Sequence, residues 1–375
     1  MVDITIITFD LRCGGLERAF LDLAIQFIKK KYKVEFLVMQ KFGSLLDEAE
    51  KICKIYSLDI KKIRYIRKPL ASYLSSRKPK IVLVGMWPLT ILVPMIVKIN
   101  NYSNRLKTRV LISEQVMLSI KGDDWRKPYF MHSFIMRATM FLGYRLSDYR
   151  VATSYGVLSD IASLSCLSKS KFNVIYNPLR KLPMPTNKEL EIVNNLWKSP
   201  FGNRILCVAR LKRQKNHKLL LDAFYILFNQ NLPNLSLMIV GEGELQNELT
   251  DYCNNLGISE KVTFAGLCIN PAPFYCTANL FALSSDFEGF GNVLIEALSM
   301  GLPVVSTDCP SGPREILSDG KYGKLVPVGN ANAFATAIME TFANPPDADF
   351  LKKRAKDFDS EKIADQYLSM MYQNE

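Results

Sequence analysis

Residues 4–39 read ITIITFDLRCGGLERAFLDLAIQFIKKKYKVEFLVM, and how this stretch is divided decides the fold. ITIITF (4–9) and KVEFLVM (33–39) are apolar, β-branched runs of strand length, and LERAFLDLAIQFIKK (16–30) between them repeats apolar residues at helical spacing. A helix between two strands carries the chain back to the same end of the sheet, so the strands run parallel. KIVLVG (80–85), RVLISE (109–114), YRVATS (149–154) and FNVIYN (172–177) extend the series. From Pro178 to Asn203 the alternation dissolves into a stretch rich in proline and asparagine, which reads as an interdomain linker. It restarts with the strands RILCVAR (204–210), LSLMIVG (235–241), KVTFAG (261–266), NLFALSS (279–285), PVVSTD (303–308) and KLVPV (324–328), interleaved with helical stretches. The expected class is α/β, with doubly wound parallel-sheet domains at 1–179 and 204–350 joined by 180–203. A last helix within 351–375 either stays with the second domain or crosses back to the first. Ligands of such sheets lie beyond the carboxyl ends of the strands, and a cleft between two such domains is the natural site.

The bulk properties narrow the class of function. A chain of 375 residues with 48% hydrophobic and 22% charged residues is long enough for two globular domains and excludes disorder. Its eight cysteines are scattered without a CxxC pair, and the histidines are His132 and His217 only. A disulfide framework or a zinc site is therefore not expected, and a reducing cytosolic compartment is. The start, MVDITIITFD, lacks the basic-then-apolar pattern of a signal peptide, so the mature protein is expected to begin there. The net charge of +12 is uneven: residues 1–180 hold 30 Lys and Arg against 14 Asp and Glu, and residues 181–375 hold 18 against 22. That asymmetry points the first half at something anionic, a membrane surface, a nucleic acid or a phosphorylated acceptor, unless it is only a solvated basic face. No recognised nucleic-acid module accompanies it. IVLVGMWPLTILVPMIV (81–97) is uncharged but short for a span and broken by Gly85, Pro88 and Pro94, so a strand and a buried helix are expected. RKPYFMHSFIMRATMFLGYRL (126–146) is the better membrane candidate, either lying in a bilayer interface or forming a core helix whose basic stems reach water.

Chemistry-bearing residues cluster at strand ends. RCGGLERAF (12–20) sets Gly14 and Gly15 between a strand and a helix N-terminus, suiting a phosphate or a structural turn. It is not GxGxxG. ARLKRQKNHK (209–218) places Arg210 and Lys215 just past a strand, where two cations can neutralise a diphosphate. GEGE (241–244) reads as a mainly structural turn. EGFGNVLIE (288–296) sets Glu288 and Glu296 eight residues apart. On one helix they would be about 12 Å apart along the axis and turned by about 80°, poorly placed for acid/base work on one bond. Gly289 and Gly291 disfavour a helix interior, so Glu288 belongs to a loop, the helix starts near Asn292, and Glu296 lies a turn further in. The two carboxylates then read as two stations on one extended ligand.

Together these motifs resemble the retaining glycosyltransferases of family 4, which have the GT-B fold of two Rossmann-like domains. The resemblance runs through CGGLERAFLDLA (13–24), VIYNPL (174–179), ARLKRQKNHKLLLDAF (209–224), IVGEGELQNEL (239–249), VTFAG (262–266), SSDFEGFGNVLIEALSMGLPVVSTDCPSGPREIL (284–317) and YGKLVPVGN (322–330). It implies that Arg210 and Lys215 bind the donor diphosphate and stabilise charge on the leaving phosphate. Glu288 would hold donor-sugar hydroxyls, Phe290, Gly291, Asn292 and Val293 would pass beside sugar and phosphate, and Glu296 would hold the ribose hydroxyls. Gly14 and Gly15 would face the diphosphate from the first domain. Related sequences often have a histidine where ISEQV (112–116) has Gln115, which leaves the parts of Glu114 and Gln115 in acceptor handling open. In a retaining front-face reaction the acceptor proton can pass to the leaving phosphate, so an enzyme base is not strictly required.

The resemblance implies a hexosyltransferase of polysaccharide biosynthesis. It would move a hexose or N-acetylhexosamine from a nucleotide sugar to a lipid-linked or surface glycan such as a polyprenyl-diphosphate acceptor. SGPREIL (311–317) favours a UDP-linked donor, no metal or other cofactor is implied, and no DxD-like pair is present. The expected location is the cytoplasm, peripheral on the anionic inner face of the membrane. The competing readings are a GT-B sugar-nucleotide epimerase and a non-catalytic sugar-nucleotide-binding subunit.

Overall fold

The computed structural model describes residues 2–12, 14–120, 130–199 and 201–372. The chain forms two compact units, the first drawn from residues up to 180 together with 359–372, the second from 181–358.

In the first unit, β1 (Ile4–Thr8), β2 (Val34–Val38), β3 (Lys54–Ser57), β4 (Ile81–Val84), β5 (Arg109–Glu114), β6 (Tyr149–Ala152) and β7 (Asn173–Val174) form one sheet in the order β3-β2-β1-β4-β5-β6-β7. Every pairing is parallel. The helices are α1 (Gly15–Lys29), α2 (Leu46–Ile52), α3 (Arg67–Arg77), α4 (Leu89–Asn104), α5 (Phe130–Leu146) and α6 (Tyr155–Ser165). Strand alternation divides the core: Ile4 and Ile6 pack with Phe20 and Phe27 of α1, and Ile7 packs with residues of α3, α4 and α6. Both faces are covered, which is why these strands read as continuous apolar runs.

The helix Ser360–Tyr372 belongs to this first unit. Ile363, Ala364, Tyr367, Leu368 and Met371 recur at helical spacing and are buried in the same core as α1. Gln26 donates to Ser360 Oγ at 2.9 Å, and the buried hydroxyls of Tyr367 and Ser113 are 2.8 Å apart.

The second unit has β8 (Arg204–Val208), β9 (Ser236–Val240), β10 (Val262–Gly266), β11 (Leu280–Leu283), β12 (Val304–Thr307) and β13 (Lys324–Val326), ordered β10-β9-β8-β11-β12-β13 and all parallel. Its helices are α7 (Asn187–Leu196), α8 (His217–Asn229), α9 (Gln246–Leu256), α10 (Ala272–Thr277), α11 (Asn292–Ser299), α12 (Pro313–Ile316), α13 (Ala331–Ala343) and α14 (Ala348–Ala355).

Several local readings change. The stretch after Pro178 holds a full helix, α7, whose Thr186 hydroxyl accepts from Glu189 N while the Glu189 carboxylate accepts from Thr186 N. This capping box is present in the sequence as TNKE (186–189), masked by the surrounding proline and asparagine. The edge strand β3, KIYS, is too short and polar to stand out by pattern, and FNVIYN contributes only a two-residue strand. Residues 81–97 form β4 and most of α4, as expected, and no helix among the described residues is long and apolar enough to cross a membrane. In the 126–146 stretch, residues 126–129 lie outside the described residues. Met140 and Tyr144 of α5 are core residues. Arg137 donates to Ser163 O, and Arg145 donates to Ser165 O and Cys166 O, all at the carboxyl end of α6. These arginines complement a helix terminus, while Phe134, Phe141 and Leu142 of the same helix are exposed.

Tyr367→Ala should open a cavity in the first unit and destabilise it by about 3–5 kcal/mol. Urea unfolding followed by tyrosine and tryptophan fluorescence measures this, and a wild-type midpoint would show that the C-terminal helix contributes nothing to that core.

Candidate active site

In the second unit β8 and β11 are neighbours, and the chain leaves them toward opposite sides of the sheet. Such a switch point opens a crevice at the strand carboxyl ends. The loop after β8 carries Arg210 and Lys215, and the loop after β11 carries Glu288. Five hydrogen bonds lace the two loops together. Lys215 Nζ donates to Glu288 Oε1 at 2.5 Å, Ser284 Oγ donates to Lys215 O at 2.9 Å, and Gln214 Nε2 donates to Phe287 O at 2.7 Å. Asn216 Nδ2 donates to Asp286 Oδ1 at 2.8 Å, and Asp286 N donates to Gln214 O at 2.9 Å. Asn216 also caps α8, accepting from Leu219 N, so one side chain sets both the helix start and the loop.

Glu288 is 6% exposed, and its Oε1 also accepts from Ser285 Oγ at 2.6 Å. Its backbone N–H donates to Pro310 O at 2.8 Å. The carboxylate is thus fixed through one oxygen, leaving Oε2 without a hydrogen bond among the described residues. Arg210 is exposed, with no ion-pair partner among the described residues. His217 is 1% exposed with neither ring nitrogen hydrogen-bonded. Burial, with Lys215 nearby, holds its imidazole down to about 4, so it is neutral at physiological pH.

The helix after Glu288 starts at Asn292, as the two glycines required. Gly291 has φ +101°, a left-handed conformation that glycine adopts without a Cβ penalty. Phe290 is buried and packs edge-on against Phe358. Asn292 and Val293 are half-buried in the first turn of α11, whose N–H groups form an anion-binding terminus. Glu296, one turn on, accepts from the buried Tyr275 hydroxyl at 2.9 Å. Lys215 and Ser285 thus bond Glu288, and Tyr275 bonds Glu296. Gly312 closes the corner from below: at φ +92°, a Cβ there would lie 1.9 Å from Phe290 O. The GEGE turn is likewise built on close approach, since a Cβ on Gly241 would meet Ala209 O at 2.0 Å and one on Gly243 would meet Leu211 O at 2.4 Å. It holds the Arg210 loop in place.

Gly14, Gly15, Glu114 and Gln115 belong to the first unit. Gly14 caps α1 in an ordinary extended conformation, φ −108°, so the turn itself does not demand glycine, contrary to the sequence reading. A Cβ there would meet the Glu17 carboxylate, which lies against the N-terminus of α1. Glu114 ends β5 fully buried, accepting from Tyr144 OH at 2.7 Å through Oε2, while its Oε1 has no partner. Burial pushes its carboxyl up to about 7. Gln115 is also buried, and its amide donates to Ser113 Oγ at 3.3 Å. The side chain of His132 lies outside the described residues. No group of three or more His, Cys, Asp or Glu among the described residues could hold a metal ion.

Residues 194–358 match the model of the glycosyl transferases group 1 family. Over 97% of its length the chain is 30% identical to 98% of a Campylobacter jejuni enzyme, N-acetylgalactosamine-N,N'-diacetylbacillosaminyl-diphospho-undecaprenol 4-alpha-N-acetylgalactosaminyltransferase. The chain belongs to the group 1 glycosyltransferases. It is also 29% identical, over 52% of its length and 53% of the relative's, to the lipopolysaccharide 1,6-galactosyltransferase of Escherichia coli. Among solved structures it resembles Anabaena HepE in complex with UDP, with TM-score 0.79 and 18% identity over 99% of this chain and 100% of that one. The lipopolysaccharide outer core galactosyltransferase WaaB matches with TM-score 0.73 and 20% identity over the whole of both chains. The fold is GT-B.

Sequence reading of this glycosyltransferase missed Ser285, Asn216, Asp286, Tyr275 and Gly312. Ser285, Gly312, Asn216 and Asp286 lie inside motifs already quoted, and for Ser285 and Gly312 their spacing from Glu288 was the available signal. The pairing of Asn216 with Asp286, 70 residues away, had no signal that a single chain displays.

Gly312→Ala should destabilise the second unit by about 1–3 kcal/mol, because the corner must move or strain. Urea unfolding tests this, and an unchanged midpoint would mean that the corner yields freely. Glu114 gives a pH signature. Its folded pKa, about 7, lies above the reference 4.5, so its contribution to stability is full below about pH 4.5 and is lost as pH rises to about 7. Relative to wild type, Glu114→Gln should gain melting temperature across that window. A difference that stays flat with pH would show that Glu114 is ionised throughout.

Proposed function

We propose that this chain is a retaining hexosyltransferase of polysaccharide or lipopolysaccharide biosynthesis. It transfers a hexose or N-acetylhexosamine from a UDP-sugar to a lipid-linked glycan. The observation that carries the reading is the Lys215–Glu288 bond at the switch point, with Arg210 exposed on the same loop. Support for the donor comes from HepE, whose structure holds UDP. Support for the acceptor comes from the full-length Campylobacter relative, whose name specifies a diphospho-undecaprenol-linked acceptor and an α linkage. An α linkage is what retention gives from an α-configured nucleotide sugar.

In this reading the bond between the anomeric carbon and the leaving phosphate oxygen breaks, and the acceptor oxygen bonds to the same face of that carbon. Negative charge grows on the diphosphate. Arg210, Lys215 and the α11 N-terminus stabilise it, acting together as an electrostatic clamp. Glu288 receives sugar hydroxyls through Oε2, because Lys215 and Ser285 occupy Oε1. Glu296, steadied by Tyr275, receives the ribose hydroxyls. Gly14 and Gly15 face the diphosphate at the start of α1, and Glu114 and Gln115 serve acceptor positioning. The acceptor proton passes to the leaving phosphate oxygen. The enzyme works as a peripheral protein on the cytoplasmic face of an anionic membrane.

Purified protein should transfer sugar from one UDP-sugar, and not from GDP- or ADP-sugars, to lipid extract of the source cells. Arg210→Ala and Glu288→Ala should each lower turnover by about 10²–10³-fold. A changed free sugar released without acceptor would replace the transferase reading by an epimerase, and wild-type turnover in both variants would remove these residues from the mechanism.

A further inference from the structure

Residues 61–68, KKIRYIRK, connect β3 to α3 at the carboxyl edge of the first sheet. Ile60 and Ile66 are buried, and Ile63 packs on the same core. Apolar anchors at every third residue pin this turn, which includes the short 3₁₀ segment Ile63–Tyr65, and force the residues between them outward. Lys61, Lys62, Arg64, Arg67 and Lys68 are all exposed, and Tyr65 is 58% exposed with the Arg64 guanidinium 4.9 Å from its ring centre. Not one of the five cations pairs with an acid among the described residues. The nearest acid in sequence, Asp59, is bonded by the Ser57 hydroxyl at 2.6 Å. From Ile60 to Ser113 the chain has twelve Lys and Arg and no Asp or Glu.

Several other cations of the unit have partners, whereas the exposed Lys78, Arg105 and Lys107 have no acid partner among the described residues either. Arg18 holds Asp22 and Glu48, Lys41 holds Glu50, Arg77 holds Glu35, Lys80 holds Asp3, Lys98 holds Asp148, and the α5 arginines hold α6 carbonyls. A dense, pinned and unpaired basic turn beside an exposed tyrosine is complementary to a planar anionic surface. Tyrosine suits the headgroup level, where its ring is half in water.

We propose that the 61–68 turn docks the enzyme on an anionic lipid bilayer, with Tyr65 at headgroup depth. This rests on the peripheral-membrane reading above and gives it a contact at the start of α3. Each cation close to such a surface contributes about five-fold to binding.

The test is co-sedimentation of the full chain with extruded vesicles of phosphatidylcholine, with or without phosphatidylglycerol. Three chains are compared: wild type, Lys61→Glu/Lys62→Glu/Arg64→Glu, and a control with the same charge change elsewhere in the unit, Lys78→Glu/Arg105→Glu/Lys107→Glu. Wild type should prefer anionic vesicles by more than about ten-fold and lose that preference at high salt. The 61–64 variant should lose about ten-fold or more, and the control less than about three-fold. UDP binding by calorimetry should be equal in all three. Its absence from wild type would count against the donor reading, separately from the vesicle result. Equal losses in variant and control, or no preference for anionic vesicles in wild type, would overturn the docking surface. So would binding of a single-stranded oligonucleotide that depends on these residues while vesicles are ignored.

Discussion

The bond between Lys215 and Glu288 is the constraint on which the rest of the candidate site depends. Neither residue is held by local structure alone, since they lie in loops after β8 and β11, 73 residues apart. Sheet order makes those strands neighbours, and the lacing from Gln214 to Asn216 aligns the loops in register. A single hydrogen bond of this kind contributes about 1 kcal/mol net, but losing one partner of a buried charge pair costs about 3–5 kcal/mol. The pair is therefore weak evidence for stability and strong evidence for position. A carboxylate held through one oxygen by Lys215 and Ser285 presents the other in a fixed direction.

Backbone packing supplies the second layer of control. Gly241 and Gly243 let the turn after β9 rest directly on residues 209–211, and Gly312 lets the chain pass under Phe290. In each case a methyl group would collide with a carbonyl oxygen, which cannot swing aside as a side chain can. The Arg210 loop and the α11 N-terminus are thus braced by main chain, and main-chain bracing permits tight geometry in segments that are not regular structure. Phe290 follows the same logic, its ring anchored against Phe358 while its backbone turns the corner into α11.

Much of this was legible in the chain. The parallel strands, the loop position of Glu288 and the start of α11 follow from alternation and from two glycines. Burial on both sheet faces makes strands such as IVLV unmistakable, whereas KIYS at the edge, partly exposed, carries no such signal. The α7 helix was hidden by composition although its capping box was written out. The partners of the site residues were not legible at all: Tyr275 for Glu296 and Asp286 for Asn216 are products of folding, separated from their partners by 21 and 70 residues. Gly14 reads as a tight-turn glycine in the chain, but its backbone is in an ordinary extended conformation set by the fold around it.

Proton handling in the proposed reaction narrows to a few groups. Gln115 cannot take a proton. Glu114 is enclosed, bonded by Tyr144, and easier to protonate than an ordinary carboxyl. His217 is neutral, but it is buried behind Lys215 with no exposed nitrogen. With these groups set aside, the base in the proposed reaction is the leaving phosphate oxygen itself. That assignment shifts the burden onto the cations. The phosphate must be stabilised enough to depart, yet remain basic enough to accept the acceptor proton as it does. Arg210 on an exposed loop and Lys215 shared with Glu288 suit that balance, because a lysine already paired to a carboxylate neutralises the diphosphate less completely than a free one.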